Sequence, residues 1–135
     1  LVPENGIVFH GAVSAEDVEK IIKSSLFVIH TESFDKDIIP RIRYSVSTKI
    51  ADSLASGTCI LAYGPPVIAS IEYLTKNNAA FVINKKEDLA TGLLSIMTDI
   101  KLQNEIIQNA IHLAKQNHSY NKTCNVINEM INHIT

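Results

Sequence analysis

The sequence lacks most of the features that assign a chain to a membrane, zinc-binding or secreted class. Its 135 residues contain no tryptophan and only two cysteines, and no apolar run is long enough to span a bilayer. Cys59 and Cys124 stand far apart, without CxxC or Cys/His ligand spacing. Neither a zinc site nor a disulfide framework is therefore expected, and a reducing cytoplasm is the expected compartment.

Charge is also scarce. The formal net charge is −2, which argues against a nucleic-acid partner that needs many neutralised phosphates, although a local basic site for one diphosphate stays open. Hydrophobic residues make up 46% and charged residues 19%, the balance of an ordinary globular domain. The start LVPENG has neither methionine nor the basic and apolar regions of a signal peptide. We therefore expect one partial domain, residues 1–135, of a longer parent protein.

Four short apolar segments have the composition of buried strands: residues 7–10, 26–30, 59–63 and 80–83. Each is followed by a loop and a helical pattern, and none alternates strictly between apolar and polar positions. This order predicts an α/β fold, a Rossmann-like doubly wound parallel sheet with a helical C-terminal tail. The last three strands are expected to be neighbours.

The predicted helices have polar starts and defined ends. Ser14 is placed to cap the first helix, and the residues that this helix would bury are Val18, Ile21 and Ile22. The next helix covers residues 48–56, where Gly57 suits a left-handed stop, and another covers residues 66–74, with Pro66 in its first turn. The expected starts of the tail helices are Asn84, Asp99, and Ser119 or Asn121.

Three loops follow the carboxyl ends of predicted strands, where a doubly wound sheet binds its ligand. One of them, SVSTK at residues 45–49, places three hydroxyls and an ammonium at the start of a helix. Free N–H groups there attract phosphate. The alternative is that Ser45 or Ser47 caps the helix and Lys49 is solvated. His30, at a strand end, is interpreted as a structural hydrogen-bonding residue.

Asp52 lies one helical turn after Lys49 on the polar face, because Ile50 and Leu54 take the buried side. A carboxylate can accept two hydroxyl hydrogen bonds at once, which suits a ribose. A surface ion pair with Lys49 is the alternative. Gly64 follows a strand and precedes two prolines, so the backbone could approach a ligand closely at that position.

Longer segments of the sequence match a known pattern. IVFHGAV, LFVIH, YSVSTKIADSLASGTCILAYGPP and IASIEYL together resemble family 4 glycosyltransferases of the GT-B fold, especially those of capsule and surface-polysaccharide synthesis. The most specific block is STKIADSLASG. The resemblance implies that the chain is a fragment of the C-terminal, donor-binding domain. It also implies an acceptor-binding N-terminal domain upstream, outside this chain.

The resemblance implies roles for particular residues. Asp52, five positions before Gly57, takes the place of the acid that binds the nucleotide ribose. The Ser/Thr-Lys block is implied to lie near the diphosphate, and the turn after the next strand to border the donor sugar. The implied donor-binding residues are Ser47, Thr48, Lys49, Asp52, Tyr63 and Gly64.

The sequence also departs from the family pattern. Many relatives have a second acid near the donor sugar, and Tyr44 occupies that position here. Glu32 and Asp35, in the preceding loop, are the substitutes that we consider and the candidates for a catalytic role. Arg41 or Arg43 could meet an acidic group on the ligand.

The predicted function is donor binding for transfer of a sugar from a nucleotide-diphosphate sugar to a saccharide or lipid-linked acceptor. The resemblance implies a cytoplasmic hexosyltransferase parent, in contact with the inner face of the membrane, that acts with retention and needs no cofactor or metal. This fragment alone is expected to be inactive. The alternatives are a nucleotide-sugar epimerase of the same fold, which would convert its substrate without an acceptor, and a non-catalytic nucleotide-binding module.

Overall fold

The computed structural model describes residues 6–132, in which helices and strands alternate before a helical tail. The helices are α1 (Ala15–Ser24), α2 (Ile39–Ile42), α3 (Lys49–Ala55), α4 (Ala69–Lys76), α5 (Leu89–Thr98), α6 (Ile100–Asn117) and α7 (Tyr120–Asn132). The strands are β1 (Phe27–Thr31), β2 (Cys59–Tyr63) and β3 (Phe81–Ile83). A 3-10 turn, Lys86–Asp88, precedes α5.

The three strands form one parallel sheet with the order β1-β2-β3. Phe27 lies opposite Cys59, and Thr31 lies opposite Tyr63, so β1 and β2 begin and end at the same level. On the other edge of β2, Tyr63 lies opposite Ile83. The predicted α/β fold, with three adjacent parallel strands and a helical tail, is confirmed.

Both faces of β2 are buried. Ile60 and Ala62 pack with α3, α4 and the second half of α6, while Cys59 and Leu61 pack with α5 and the first half of α6. The residues of the first cluster are Ile50, Leu54, Ile60, Ala62, Ile68, Ile71, Leu74, Ala79, Ala80, Ala110, Leu113 and Ala114. The second comprises Cys59, Leu61, Ile83, Ile96 and Ile106. Burial raises the pKa of the Cys59 thiol to about 11, so this cysteine is a packing residue rather than a nucleophile.

The N-terminal part differs from the prediction. Residues 7–10 do not form a strand, and Phe9 among them is 81% exposed. A strand needs a neighbour to receive its hydrogen bonds, and within residues 6–132 none runs beside this segment. The predicted burial of Val18 and Ile21 is also wrong, because both are exposed and no residue of α1 is buried.

Most of the predicted caps are confirmed. The Asp17 N–H donates to Ser14 Oγ at 3.1 Å, and the Leu102 N–H donates to Asp99 Oδ1 at 2.9 Å. Gly57 ends α3 with a φ of +76°, in the left-handed region that favours glycine. α7 begins at Tyr120, beside the predicted start at Ser119.

Two predicted helix starts are wrong. α4 begins at Ala69, so Pro66 lies in the loop before the helix and not in its first turn. Asn84 caps no helix, because the 3-10 turn intervenes, and its Oδ1 is buried without a hydrogen-bond partner among the described residues. Before α4 and before α5, a short turn contains residues that the sequence pattern assigned to the start of the helix.

No helix in the described part of the chain is both long and apolar enough to cross a membrane.

The packing around β2 makes a testable prediction for two leucines. Leu74 in α4 is 0% exposed, whereas Leu94 in α5 is 66% exposed. Leu74→Ala should lower the free energy of unfolding by about 2–5 kcal/mol, since it leaves a cavity in the core. Leu94→Ala, the matched control, should change it by less than about 0.5 kcal/mol. Urea denaturation of both variants measures the difference, and equal losses would contradict the assigned core.

Candidate functional site

A cavity of about 510 Å³ lies beside the carboxyl end of β1. Its wall consists of Ile29, His30, Thr31, Glu32, Ile42, Ser45, Val46, Ser47, Thr48 and Lys49. Part of this wall comes from the end of β1, and the rest from α2 and the loop that leads into α3. Parallel α/β sheets bind their ligands at this edge. The structure therefore brings His30, Glu32 and the predicted Ser47, Thr48 and Lys49 together around one space.

Ser70, a buried serine of α4, holds the loop of residues 45–47, which forms part of the cavity wall. Its hydroxyl donates to the Ser45 carbonyl oxygen at 3.2 Å and accepts from the Ser47 N–H at 3.1 Å. Beside it, the Ala69 N–H donates to the Arg43 carbonyl oxygen at 2.8 Å. These bonds join the loop to the first turn of α4. Ser70 is not among the residues predicted from the sequence, although a serine next to Ile71 on the buried side of an apolar helix is a detectable signal.

The side chains of the Ser/Thr-Lys block are available to a ligand. α3 begins after Thr48 without a side-chain cap hydrogen bond, so the reading in which Ser45 or Ser47 caps the helix is not observed. Among the described residues, no hydrogen bond engages the hydroxyls of Ser45, Ser47 and Thr48, and no ion pair engages Lys49. Three hydroxyl donors and one ammonium therefore line the same wall without internal partners.

His30 and Glu32 form a polar pair in the opposite part of the wall. His30 Nε2 and Glu32 Oε1 are 3.0 Å apart, and their side chains are only 12% and 15% exposed. The Glu32 N–H donates to the Tyr63 carbonyl oxygen at 2.9 Å, which fixes the chain where it leaves β1. The expectation that His30 forms a structural hydrogen bond is confirmed, and the structure adds that this residue lines the cavity.

Tyr63 and Gly64 lie behind this wall rather than in it. The Tyr63 ring packs against Phe34, with ring centroids 4.8 Å apart. A Cβ added to Gly64 would lie 2.8 Å from Glu32 Cβ and 3.0 Å from Ile71. The close approach at Gly64 is therefore made by protein side chains. Its first role is to leave room for Glu32.

Asp52 lies in the first turn of α3 and is exposed. It does not belong to the cavity wall. No ion pair within residues 6–132 joins it to Lys49, so the alternative of a surface pair is not observed. Within residues 6–132 its carboxylate makes no hydrogen bond or ion pair.

The other charged candidates lie outside the cavity wall. Asp35 Oδ1 accepts the Asp37 N–H at 2.8 Å, which places this carboxylate in the turn before α2. The Arg43 guanidinium carbon lies 5.3 Å from the ring centroid of exposed Tyr44. Arg41 is exposed as well. Of the two sequence-derived catalytic candidates, the structure brings only Glu32 to the cavity.

The charged side chains near the cavity either have no ion-pair partner among the described residues, as Lys49 has none, or form ion pairs on the surface, as Glu72 and Lys76 do. In α4, the Lys76 hydrogen bond and charge hold the pKa of Glu72 below its usual value. Within the described residues there is no group of three His, Cys, Asp or Glu side chains that could hold a metal ion. The chemistry that the wall offers is hydrogen bonding, one ammonium charge and one carboxylate.

The chain is similar to a known protein family. The family model described as glycosyl transferase-like matches residues 3–129. The matched segment includes the whole cavity wall, α3 and Ser70. No curated protein and no solved structure shows a significant match to the chain.

The bonds of Ser70 make a testable prediction. Ser70→Ala leaves the Ser47 N–H and the Ser45 carbonyl without this partner, which should cost about 1–3 kcal/mol of unfolding free energy. Ser95→Ala, at an exposed position of α5, is the control and should change the stability by less than about 0.5 kcal/mol. Thermal and urea denaturation measure both. A Ser70→Ala variant as stable as the control would show that the loop does not depend on this serine.

Proposed function

The chain belongs to the glycosyl transferase-like family, and on that premise we propose that its cavity binds the nucleotide-diphosphate sugar from which a sugar is transferred. The supporting observation is the free Ser/Thr-Lys wall at the carboxyl end of the sheet. The acceptor under this proposal is a saccharide or lipid-linked saccharide in surface polysaccharide synthesis. The resemblance assigns that acceptor to a separate domain of a GT-B enzyme.

The diphosphate is the part of the donor that this wall suits best. Ser45, Ser47 and Thr48 can donate hydroxyl hydrogen bonds to phosphate oxygens, and Lys49 supplies a positive charge. As the bond between the sugar and the diphosphate breaks, negative charge grows on the leaving phosphate oxygen. Donors already held in position stabilise that charge without reorganising. The Ser70 hydrogen bonds hold the loop and thus provide this rigidity.

Asp52 suits the ribose of the same ligand. It follows Lys49 by one helical turn, and its exposed carboxylate can accept hydrogen bonds from two neighbouring hydroxyls. A nucleotide whose phosphates lie against residues 45–49 would extend its ribose along α3. Under the proposal, the resemblance also implies transfer without a metal ion, so Lys49 would carry the charge stabilisation.

Lys49→Met tests the diphosphate contact. It removes the ammonium and keeps most of the side-chain length, so affinity for UDP or GDP should fall about tenfold or more, as loss of a charge-assisted hydrogen bond does. The remaining affinity should also depend less on salt. Lys101→Met, exposed in α6 and outside the wall, controls for net charge. Isothermal calorimetry at two salt concentrations measures both, and equal affinities would refute the assignment.

Asp52→Asn tests the ribose contact. The change keeps the shape but removes the charge that makes a carboxylate a strong double acceptor. We expect the loss of charge-assisted bonds to cost about 1.5–3 kcal/mol, roughly ten- to a hundredfold in donor affinity. The fold should persist, since Ile50 and Leu54 carry the packing of α3. Calorimetry measures the donor affinity and thermal melting measures the stability, so the two together distinguish a ribose contact from a structural role. Unchanged affinity removes the ribose role, and a lowered melting temperature returns Asp52 to a structural one.

A further inference from the structure

The His30–Glu32 pair is poorly suited to binding the diphosphate. Glu32 carries a negative charge when ionised and would repel a phosphate placed against it. Its side chain is nevertheless only 15% exposed, and it lines the same cavity as Lys49. Among the described residues, no lysine or arginine lies within ion-pair distance of this carboxylate, so a hydrogen-bond donor on a ligand would suit it.

Two hydrogen bonds hold Glu32 in place, one through its backbone and one through its side chain. Its backbone N–H is bonded to the Tyr63 carbonyl oxygen at 2.9 Å, and its Oε1 lies 3.0 Å from His30 Nε2. The missing side chain at Gly64 makes room for Glu32, because a Cβ there would lie 2.8 Å from Glu32 Cβ. The acceptor is thus positioned before a ligand arrives, which lowers the entropy lost on binding.

The carboxylate also keeps capacity to accept. Among the described residues, His30 is the one side chain bonded to Glu32, and the bond uses Oε1. Oε2 has no hydrogen-bond partner among the described residues and is not a buried atom, so it remains accessible to a donor from outside the protein. Ionised carboxylates accept hydrogen bonds and donate none, and sugar hydroxyls are donors of the matching kind.

The charges of the wall favour an uncharged sugar. Lys49 is the one lysine or arginine in it, and it stands in the block assigned to the diphosphate. Arg41 and Arg43, which could have met an acidic sugar, lie outside the wall. A sugar carboxylate beside Glu32 would place two negative charges close together in a partly buried space.

We propose that the Glu32 carboxylate, held by His30, accepts hydroxyl hydrogen bonds from an uncharged hexose of the donor and disfavours a uronic acid. This inference rests on the proposed function and names the class of sugar. Glu32 contacts the ligand directly, and His30 is a positioning residue that orients it.

Calorimetric titration of the protein with UDP, UDP-glucose, UDP-galactose, GDP, GDP-mannose and UDP-glucuronate tests the proposal. At least one hexose conjugate should bind about tenfold more tightly than its free diphosphate, as one charge-assisted hydrogen bond allows, and UDP-glucuronate should not share this gain. Glu32→Gln should abolish most of the extra affinity that the hexose conjugate has over its free diphosphate, and it should leave the affinity for UDP and GDP unchanged. The same change should improve the binding of UDP-glucuronate. His30→Ala should reduce the same gain without changing diphosphate affinity.

Asp37→Asn is the matched control, because it removes one negative charge from an exposed position in the same loop and outside the wall. It should leave every affinity unchanged. A hexose gain that survives Glu32→Gln, or an equal loss of hexose and diphosphate affinity, overturns the inference and leaves the proposed function standing. Absence of any nucleotide binding overturns both. If Glu32→Gln does not fold, the unaltered protein decides, since UDP-glucuronate binding as tightly as every hexose conjugate overturns the inference.

Discussion

β2 pairs on both edges and is buried on both faces, and its position determines where the cavity forms. Because Thr31 lies opposite Tyr63, the chain leaves β1 and β2 at the same level. Glu32 then bonds to the Tyr63 carbonyl, and Gly64 leaves space for its side chain. The part of the cavity wall that Glu32 forms therefore depends on the pairing of β1 with β2. A shift in register by one residue would turn these side chains to the other face.

The opposite wall depends on the core through α4. Ile71 and Leu74 anchor this helix in the cluster beneath the sheet, and Ser70 beside them bonds to the loop at Ser45 and Ser47. A buried hydroxyl with both a donor and an acceptor partner is satisfied, so its hydrogen bonds offset the cost of removing it from water and add geometric specificity. Apolar packing of the neighbouring residue in α4 thus positions the polar loop, and the hydroxyls of the loop that line the cavity are not needed to hold it.

The sequence predicted features that local residues determine. CILAY, between Gly57 and Gly64, predicted β2 with its observed bounds, and the Ser14 cap follows from chemistry within one turn. Features that depend on distant partners were missed. Residues 7–10 have strand composition but, within residues 6–132, no neighbouring strand, and the Ser70 bonds join residues 23 and 25 positions apart. The pattern placed Ser47, Thr48, Lys49 and Glu32 near one sheet edge, but it could not show that Asp35 turns away.

The cavity lies beside the buried core, although β1 and α2, which contribute to its wall, have no buried residue of their own. β1 pairs with β2 along its whole length, and α3 and α4 contribute buried residues to the same cluster as β2, whereas α1 has no buried residue and α7 has none among its described residues. A hydrogen bond from Thr58 Oγ1 to the Ile22 carbonyl ties α1 to the turn before β2, at the end of the strand away from the cavity. Segments with few buried contacts open at low free energy, and core elements open only with global unfolding. Local opening of α1 or α7 would therefore leave the sheet edge, the Ser70 bonds and the His30–Glu32 pair in place.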